Sequence, residues 1–224
     1  PGGKGRALRA VTVWYALLVA AGYLVGSVPF GLYATRYNQG RRGLPVNPGG
    51  TNAAPLDLYR RSGPNPRLAG IVFLLELTKG FLPTLTGYLA LGTPGAVGGG
   101  SAALVGHNFP FFGRLRGSNS VAPLLGVLLV VYPIVVVILG MVWTATLAAW
   151  RYASLAALVA ATVSPLALAA LDAGGEYENL LVWAAVLWSL LVFFAHRENI
   201  RRLVSGREAK VDAPFGGSGR RRIR

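Results

Sequence analysis

The two histidines of the chain, His107 and His196, are the side chains best suited to exchange a proton near neutral pH. Each stands near the end of an apolar run and close to an asparagine: Asn108 follows His107 directly, and Asn199 lies three residues after His196. At His196 the last apolar run gives way to a basic tail. We interpret the stretch around His196 as one side of a polar site. For His107, a histidine that only satisfies a hydrogen bond is the alternative interpretation.

Two loops rich in glycine and small polar residues are suited to binding an oxyanion. The first contains Asn47, Gly49, Thr51 and Asn52, and the second contains Arg116, Gly117, Ser118 and Asn119. Unobstructed backbone N–H groups in such loops can surround a phosphate, and a flanking arginine adds a charge-assisted contact. Because most loops of this composition are only turns, each loop by itself is a weak signal.

An ionisable pair, Glu76 and Lys79, lies inside the second long apolar run. Charged side chains are costly within a membrane span and often mark a functional site. Because the two residues are three apart, they can pair on one face of a helix. The pattern leaves two interpretations open: a self-neutralising pair that fixes packing, or a pair in which Lys79 contributes to a site.

Composition places the chain among the polytopic α-helical membrane proteins. Of its 224 residues, 53% are hydrophobic and 13% are charged, whereas a soluble domain usually carries about a quarter charged residues. The net charge of +14 comes from arginines between the apolar runs and at the ends. This distribution favours the positive-inside rule over binding of nucleic acid. The chain has no cysteine, which excludes disulfides and thiolate chemistry.

Loop charge predicts the membrane topology. We place the basic segments in the cytoplasm: 36–67, 114–116, Arg151 and the tail from Arg197. The turns at 93–95 and 172–178 then lie outside, and the apolar run at 121–150 must cross twice. The result is about seven transmembrane helices with the C-terminus inside; the basic residues near the N-terminus are the exception to the rule. Both histidines and both loops then lie toward the cytoplasmic face.

The same patterns predict the domain organisation. We expect a mobile basic arm at 1–10, a single transmembrane helical domain at 11–203 and a basic tail at 204–224.

Five short motifs occur in an order and spacing that resemble one family of membrane enzymes. They are Gly26-Ser27-Val28-Pro29-Phe30-Gly31, Asn47-x-Gly49-x-Thr51-Asn52, Glu76-x-x-Lys79-Gly80-Phe81, Gly106-His107-x-Phe109-Pro110 and His196-Arg197-Glu198-Asn199-Ile200-Arg201-Arg202-Leu203. The ordered set resembles the PlsY family, the bacterial acyl-phosphate:glycerol-3-phosphate acyltransferases. The block that begins at His196 is the most specific of the five.

The resemblance implies an all-α, PlsY-like fold of seven transmembrane helices in the bacterial inner membrane, with the site at the cytoplasmic side. Such enzymes transfer an acyl group from acyl phosphate to the first hydroxyl of glycerol 3-phosphate, without a metal, a cofactor or acyl-CoA. The implied catalytic residues are His196, Asn199 and His107, with His196 as proton acceptor or hydrogen-bond orienter for the attacking hydroxyl. The implied substrate-binding residues are Asn47, Gly49, Thr51, Asn52, Lys79, Arg116, Gly117, Ser118 and Asn119.

The chain departs from the family pattern in both loops. Leu44-Pro45-Val46 takes the place of Gly-Ser-Gly in the first loop, Pro55 that of an arginine, and Asn119 that of a lysine in the second. Losing the arginine and the lysine removes two charge-assisted contacts to phosphate, each worth roughly 1.5–3 kcal/mol. The alternative hypothesis is therefore a catalytically inactive relative that serves as a structural subunit of a larger membrane complex. A transporter fits less well, because the sequence shows no internal repeat.

Overall fold

The computed structural model describes residues 2–41, 66–113 and 119–211, and the regular structure in these ranges is entirely helical. The α-helices are α1 (Gly2–Gly26), α2 (Phe30–Arg41), α3 (Pro66–Asn108), α4 (Val121–Val131), α5 (Pro133–Trp150), α6 (Ala153–Leu171), α7 (Glu178–Ala195) and α8 (Arg197–Val204). A short 3-10 helix, Phe111–Gly113, follows α3. The predicted all-α class is confirmed. Because α1 begins at Gly2, it includes the predicted N-terminal arm, whose mobility stays a prediction.

α1 ends at a break that the sequence marks with a proline. Pro29 has no N–H group and cannot donate the hydrogen bond that would continue the helix. Ser27 makes a local contact here, with its hydroxyl donating to the carbonyl of Tyr23 at 2.8 Å. Gly26 lies so close to α3 that a Cβ atom would collide with the carbonyl of Ala103. The Gly26–Pro29 segment is therefore both the kink and a helix-packing contact.

α3 reverses direction and forms a helical hairpin. Leu91 and Gly92 have non-helical backbone angles. Gly92 has φ +64°, a left-handed conformation that glycine adopts without steric cost. We call residues 66–91 the first limb and residues 92–108 the second limb. The predicted turn at 93–95 lies just after the observed reversal and is helical.

The two limbs of α3 pack against each other through small residues. A Cβ atom on Gly87 would collide with the carbonyl of Gly95, and one on Gly99 would collide with the carbonyl of Pro83. Because these contacts pair in opposite order along the chain, the limbs are antiparallel. Between helices in a bilayer, such close approach of backbones replaces the hydrophobic driving force that acts in water.

The ends of the helices lie on two faces of the bundle. Phe109, just after the second limb, packs its ring against that of Phe194 near the end of α7, with the centroids 5.2 Å apart. We call this end, which also includes Ser120 before α4, the site face. On the opposite face, the Tyr132 hydroxyl between α4 and α5 donates to the carbonyl of Leu171, the last residue of α6, at 3.1 Å.

The apolar run at 121–150 leaves the site face in α4 and returns in α5, as the predicted topology requires. α4 has 11 residues and is therefore about 16 Å long, shorter than a hydrocarbon core of about 30 Å. Among the described residues, five helices are long and apolar enough to span a membrane, with α3 counted once. Counting both limbs of α3 and the short α4, the described chain makes seven runs between the two faces.

The main buried apolar cluster lies between the second limb and the helices α4 to α7. Leu104, Val127, Leu168 and Trp188 are almost fully buried in this core. The indole N–H of Trp188 donates to the hydroxyl of Ser101 at 2.9 Å, so the largest core side chain has its one polar group satisfied. The core holds these helices as one unit, and their ends form much of the site face.

Replacing Gly126 by alanine should destabilise the bundle. A Cβ atom there would collide with the backbone carbonyl of Leu77, which no side-chain rotation can relieve. Overpacking of this kind costs about 1–3 kcal/mol, which thermal unfolding in detergent micelles would detect. Gly140→Ala is the control, because a Cβ atom at Gly140 meets nothing within 4 Å. Equal unfolding midpoints for the two variants would contradict the packing described.

Candidate active site

Three ionisable side chains form a buried cluster near the site face. The Lys79 ammonium lies 2.6 Å from Glu76 Oε2, and His107 Nδ1 lies 3.0 Å from the same oxygen. None of the three side chains is more than 2% exposed. Glu76 and Lys79 belong to the first limb of α3 and His107 to the second, so the cluster joins both limbs of the hairpin. The pairing of Glu76 with Lys79 predicted from their spacing is confirmed.

Lys79 also reaches the break between α1 and α2. Its ammonium donates to the carbonyl of Val28 at 2.7 Å and to that of Gly26 at 3.2 Å. An ammonium carries three protons, and these two carbonyls together with Glu76 Oε2 offer one acceptor for each. His107 Nδ1 also lies 3.1 Å from the Lys79 ammonium. The arrangement that uses each donor once places a proton on Nδ1, directed at the carboxylate of Glu76.

Asn108 fixes the end of the second loop. Its amide donates to the carbonyl of Leu104 at 2.9 Å and to the hydroxyl of Ser120 at 2.7 Å. Ser120 has φ +58°, a left-handed conformation that is uncommon outside glycine and persists where the surroundings determine it. Both Asn108 and Ser120 are buried. Asn119, a predicted substrate-binding residue, precedes this contact and is half-buried.

His196 lies directly after α7, with its imidazole buried on the site face. Its Nδ1 lies 2.9 Å from the carbonyl of Val192. A carbonyl can only accept, so Nδ1 is the protonated nitrogen of this contact and Nε2 is the basic nitrogen of the neutral ring. The ring contact between Phe194 and Phe109 places this turn of the chain beside the end of the second limb. The two predicted histidines therefore share one face of the bundle.

Asn199 lies in α8 and contacts a carboxylate that the sequence analysis did not single out. Glu208 Oε1 accepts hydrogen bonds from the Asn199 amide at 2.9 Å and from the Ser154 hydroxyl at 2.7 Å. Glu208 Oε2 pairs with Arg202 Nε at 2.7 Å. The available signal was an acidic residue in a predominantly basic tail. The contact ties the tail to α6 and α8.

A second contact holds the same tail segment, residues 205–211, which we call the C-terminal strap. The backbone N–H of Val211 donates to the carbonyl of Arg151 at 2.8 Å, and Arg151 Nε donates to the carbonyl of Val211 at 3.0 Å.

Burial alone would raise the pKa of Glu208, but its hydrogen bonds hold that pKa below its usual range. The strap is thus fastened by a carboxylate that is charged at neutral pH.

The described residues bring part of the predicted site together. His107 and Lys79 lie in one cluster, His196 lies on the same face, and Asn199 is in contact with Glu208. Their catalytic and substrate-binding roles stay predictions. Seven predicted substrate-binding residues lie outside the described residues: Asn47, Gly49, Thr51, Asn52, Arg116, Gly117 and Ser118. Within 2–41, 66–113 and 119–211, no group of three or more His, Cys, Asp or Glu side chains is arranged to hold a metal ion.

Replacing Glu208 by glutamine should lower the stability of the strap at neutral pH and have little effect in acid. Because the folded-state pKa is depressed, the stabilisation is present above 4.5, the ordinary value, and is lost as the pH falls through the folded-state pKa. Thermal unfolding at a series of pH values should therefore show a difference between the two proteins that shrinks below 4.5.

The matched control for this experiment is Glu198→Gln. Glu198 also pairs with an arginine of α8, Arg201, at 2.9 Å, but its side chain is 56% exposed. Exposed ion pairs contribute little stability, so this variant should unfold like the parent throughout. A Glu208→Gln effect that stays constant over the pH series would contradict the role given to the carboxylate.

Comparison with known proteins extends over most of the chain. A family model described as glycerol-3-phosphate acyltransferase matches residues 16–206. A glycerol-3-phosphate acyltransferase of Agrobacterium fabrum is 36% identical over 213 residues, which cover 91% of this chain and 98% of that protein. One of Mesorhizobium japonicum is 39% identical over 205 residues, which cover 89% and 98%.

The fold is also similar to a solved structure. The crystal structure of PlsY (YgiH), an integral membrane glycerol 3-phosphate acyltransferase, in its glycerol 3-phosphate form has a TM-score of 0.76 at 29% identity. The alignment covers 88% of this chain and 96% of that chain. The lysophosphatidic acid form gives a TM-score of 0.75 at 30% identity. Together with its long apolar helices, these matches show that the chain is an integral membrane protein and belongs to the PlsY family of glycerol-3-phosphate acyltransferases.

Proposed function

We propose that this protein transfers an acyl group from acyl phosphate to glycerol 3-phosphate, giving lysophosphatidic acid and inorganic phosphate. One observation carries the proposal: the solved structures that share its fold over 88% of the chain are a glycerol 3-phosphate form and a lysophosphatidic acid form of one acyltransferase. These molecules are the acceptor and the product of the proposed reaction. Nothing in the described part of the chain favours the alternative of an inactive structural subunit.

In the proposed reaction, a hydroxyl oxygen of glycerol 3-phosphate attacks the carbonyl carbon of the acyl group. The bond between that carbon and the phosphate oxygen breaks, and phosphate leaves with the electron pair. The hydroxyl loses its proton as the ester forms, and His196 is the proposed acceptor. Support comes from the contact of its Nδ1 with the Val192 carbonyl, which leaves Nε2 as the basic nitrogen. A hydrogen bond that only orients the hydroxyl is compatible with the same geometry.

The phosphate groups of the two substrates are proposed to bind the two glycine-rich loops. Their proposed donors are Asn47, Gly49, Thr51 and Asn52 in the first loop, and Arg116, Gly117, Ser118 and Asn119 in the second. The contact of Asn108 with Ser120 supports this assignment, because it holds the end of the second loop on the same face as His196. Asn199 is proposed to act in the turn of α8 that follows His196. His107, which the resemblance implies to be catalytic, is proposed to support the site beside Asn108 without contacting substrate.

We further propose that the protein resides in the bacterial inner membrane with its site face and C-terminus in the cytoplasm. Arg151, Arg197 and the other basic residues of α8 lie toward the site face, whereas the acidic connection at 172–178 follows α6 on the opposite face. This asymmetry agrees with the positive-inside rule. The amphiphilic acyl phosphate would then enter from the membrane, and the polar acceptor from the cytoplasm.

Replacing His196 by alanine should abolish turnover by the purified protein. Loss of a general base lowers a rate by about 100-fold or more, which an assay with acyl phosphate and radiolabelled glycerol 3-phosphate would detect. Thr144→Ala is the control, because Thr144 is on the exposed side of α5 and its hydroxyl donates to Gly140 of the same helix, at 2.8 Å. Thermal unfolding of both variants shows whether each is folded.

Two outcomes would contradict parts of the proposal. A well-folded parent protein without turnover would overturn the proposed reaction, and co-purification in mild detergent would then test whether other membrane subunits bind. Turnover that survives in the His196→Ala variant would exclude the role proposed for His196 and leave the reaction itself intact.

A further inference from the structure

The break between α1 and α2 deprives one backbone carbonyl of its helical partner. In a continuous helix the N–H of Phe30 would donate to the carbonyl of Gly26, four residues earlier. In the structure it donates to the carbonyl of Val28 at 3.1 Å. The carbonyl of Gly26 accepts from Lys79 at 3.2 Å, and that of Val28 accepts from Lys79 at 2.7 Å. Lys79 thus caps the end of α1 from another helix.

Lys79 can serve as this cap because Glu76 neutralises its charge. An isolated ammonium is strongly disfavoured in an apolar interior, and the carboxylate 2.6 Å away compensates it. His107 approaches the same carboxylate oxygen at 3.0 Å, which brings the second limb of α3 to the same point. One buried charge pair therefore connects α1, the start of α2 and both limbs of the hairpin.

The segments joined in this way lead into the two glycine-rich loops. α2 starts directly after the capped break, and the first loop follows it along the chain. At the second limb, His107 is followed by Asn108, whose amide holds the hydroxyl of Ser120 at the end of the second loop. The helix that precedes the first loop therefore begins two residues after Val28, and the residue that contacts the end of the second loop directly follows His107.

We propose that Glu76, Lys79 and His107 are positioning residues that hold the start of α2 and the end of the second limb at a fixed separation, an inference that rests on the proposed function. The cluster acts through the backbone: it fixes where α2 begins and where the second limb ends. Rigid support of this kind decides whether two bound substrates meet in a reactive geometry, since a misplacement of about 1 Å can lower a rate by about 100-fold.

The hydrogen bonds of Lys79 argue for this role over direct binding of a phosphate. Its ammonium donates to the carbonyls of Gly26 and Val28 and forms an ion pair with Glu76, and its side chain is only 2% exposed. A phosphate could bind this ammonium only if a carbonyl at the break or the Glu76 carboxylate lost its partner. The Glu76–Lys79 pair therefore serves the site by holding the backbone around it.

The test is a distance measurement in a variant that loses both charges at once. Glu76→Gln with Lys79→Met removes the cap and leaves no buried charge unpaired. Because the chain has no cysteine, Tyr33→Cys on α2 and Phe112→Cys before the second loop can each carry a spin label. Both native side chains are about half exposed. We expect a single narrow distance distribution in the parent and a broader or shifted one in the double variant.

The matched control is Ser164→Ala with Ser189→Ala. These two hydroxyls also form a buried polar contact between spans, at 3.2 Å between α6 and α7, two helices other than those that the cluster joins. We expect the control to keep the parent distribution even if its unfolding midpoint falls. If the charge-free variant does not fold, His107→Leu provides the distance test, because it keeps the ion pair and removes the imidazole that links this pair to the second limb.

Kinetics supply a second readout that a purely structural role would not change. In the charge-free variant we expect kcat/KM for glycerol 3-phosphate to fall by about 100-fold, with an unfolding midpoint no lower than that of the serine control. An unchanged distance distribution in folded variants would overturn the inference whether or not the protein is active. An inactive parent would overturn the proposed function, while the distances would still test the role of the cluster.

Discussion

The burial of the Lys79 ammonium within apolar helices is the constraint on which the arrangement of the site face depends. A buried ion pair that loses one partner costs about 3–5 kcal/mol, because the remaining charge stays unpaired. Lys79 and Glu76 must therefore stay together, and the carbonyls of Gly26 and Val28 must stay within reach of the remaining protons. An exposed pair such as Glu198 with Arg201 imposes no comparable requirement.

The short contacts of this cluster are possible because the surrounding helices approach each other at glycines. Gly26 lies against the carbonyl of Ala103, and Gly106 against that of Tyr23, on either side of the α1–α3 contact. Gly80, one residue after Lys79, lies against the carbonyl of Pro123 in α4. With side chains at these positions the helices would stand farther apart, and an ammonium on one helix could not reach carbonyls on another. Close packing and charge neutralisation are thus two aspects of one arrangement.

Residues of the continuous block from His196 to Leu203 make contacts in two different places. His196 ends α7 and is buried against the carbonyl of Val192. Asn199, one turn later in α8, donates to Glu208 and helps to fasten the C-terminal strap. The strap reaches back to Arg151 between α5 and α6. The block therefore connects the end of the helical core to a tail that closes over the start of α6.

Composition, hydropathy and residue spacing were sufficient to predict the all-α membrane class, the order of the apolar runs and the pairing of Glu76 with Lys79. These features depend on residues within one or two helical turns of each other, so local pattern determines them. Glu208 was missed, and the exact reversal at Gly92 was misplaced by a residue or two, because several small residues there could have formed the turn.

Only the tertiary structure decided which distant partner each polar side chain has. The contacts of Lys79 with Gly26, of Asn108 with Ser120 and of Asn199 with Glu208 depend on how the helices pack, and a buried polar group takes whichever acceptor or donor that packing brings within reach.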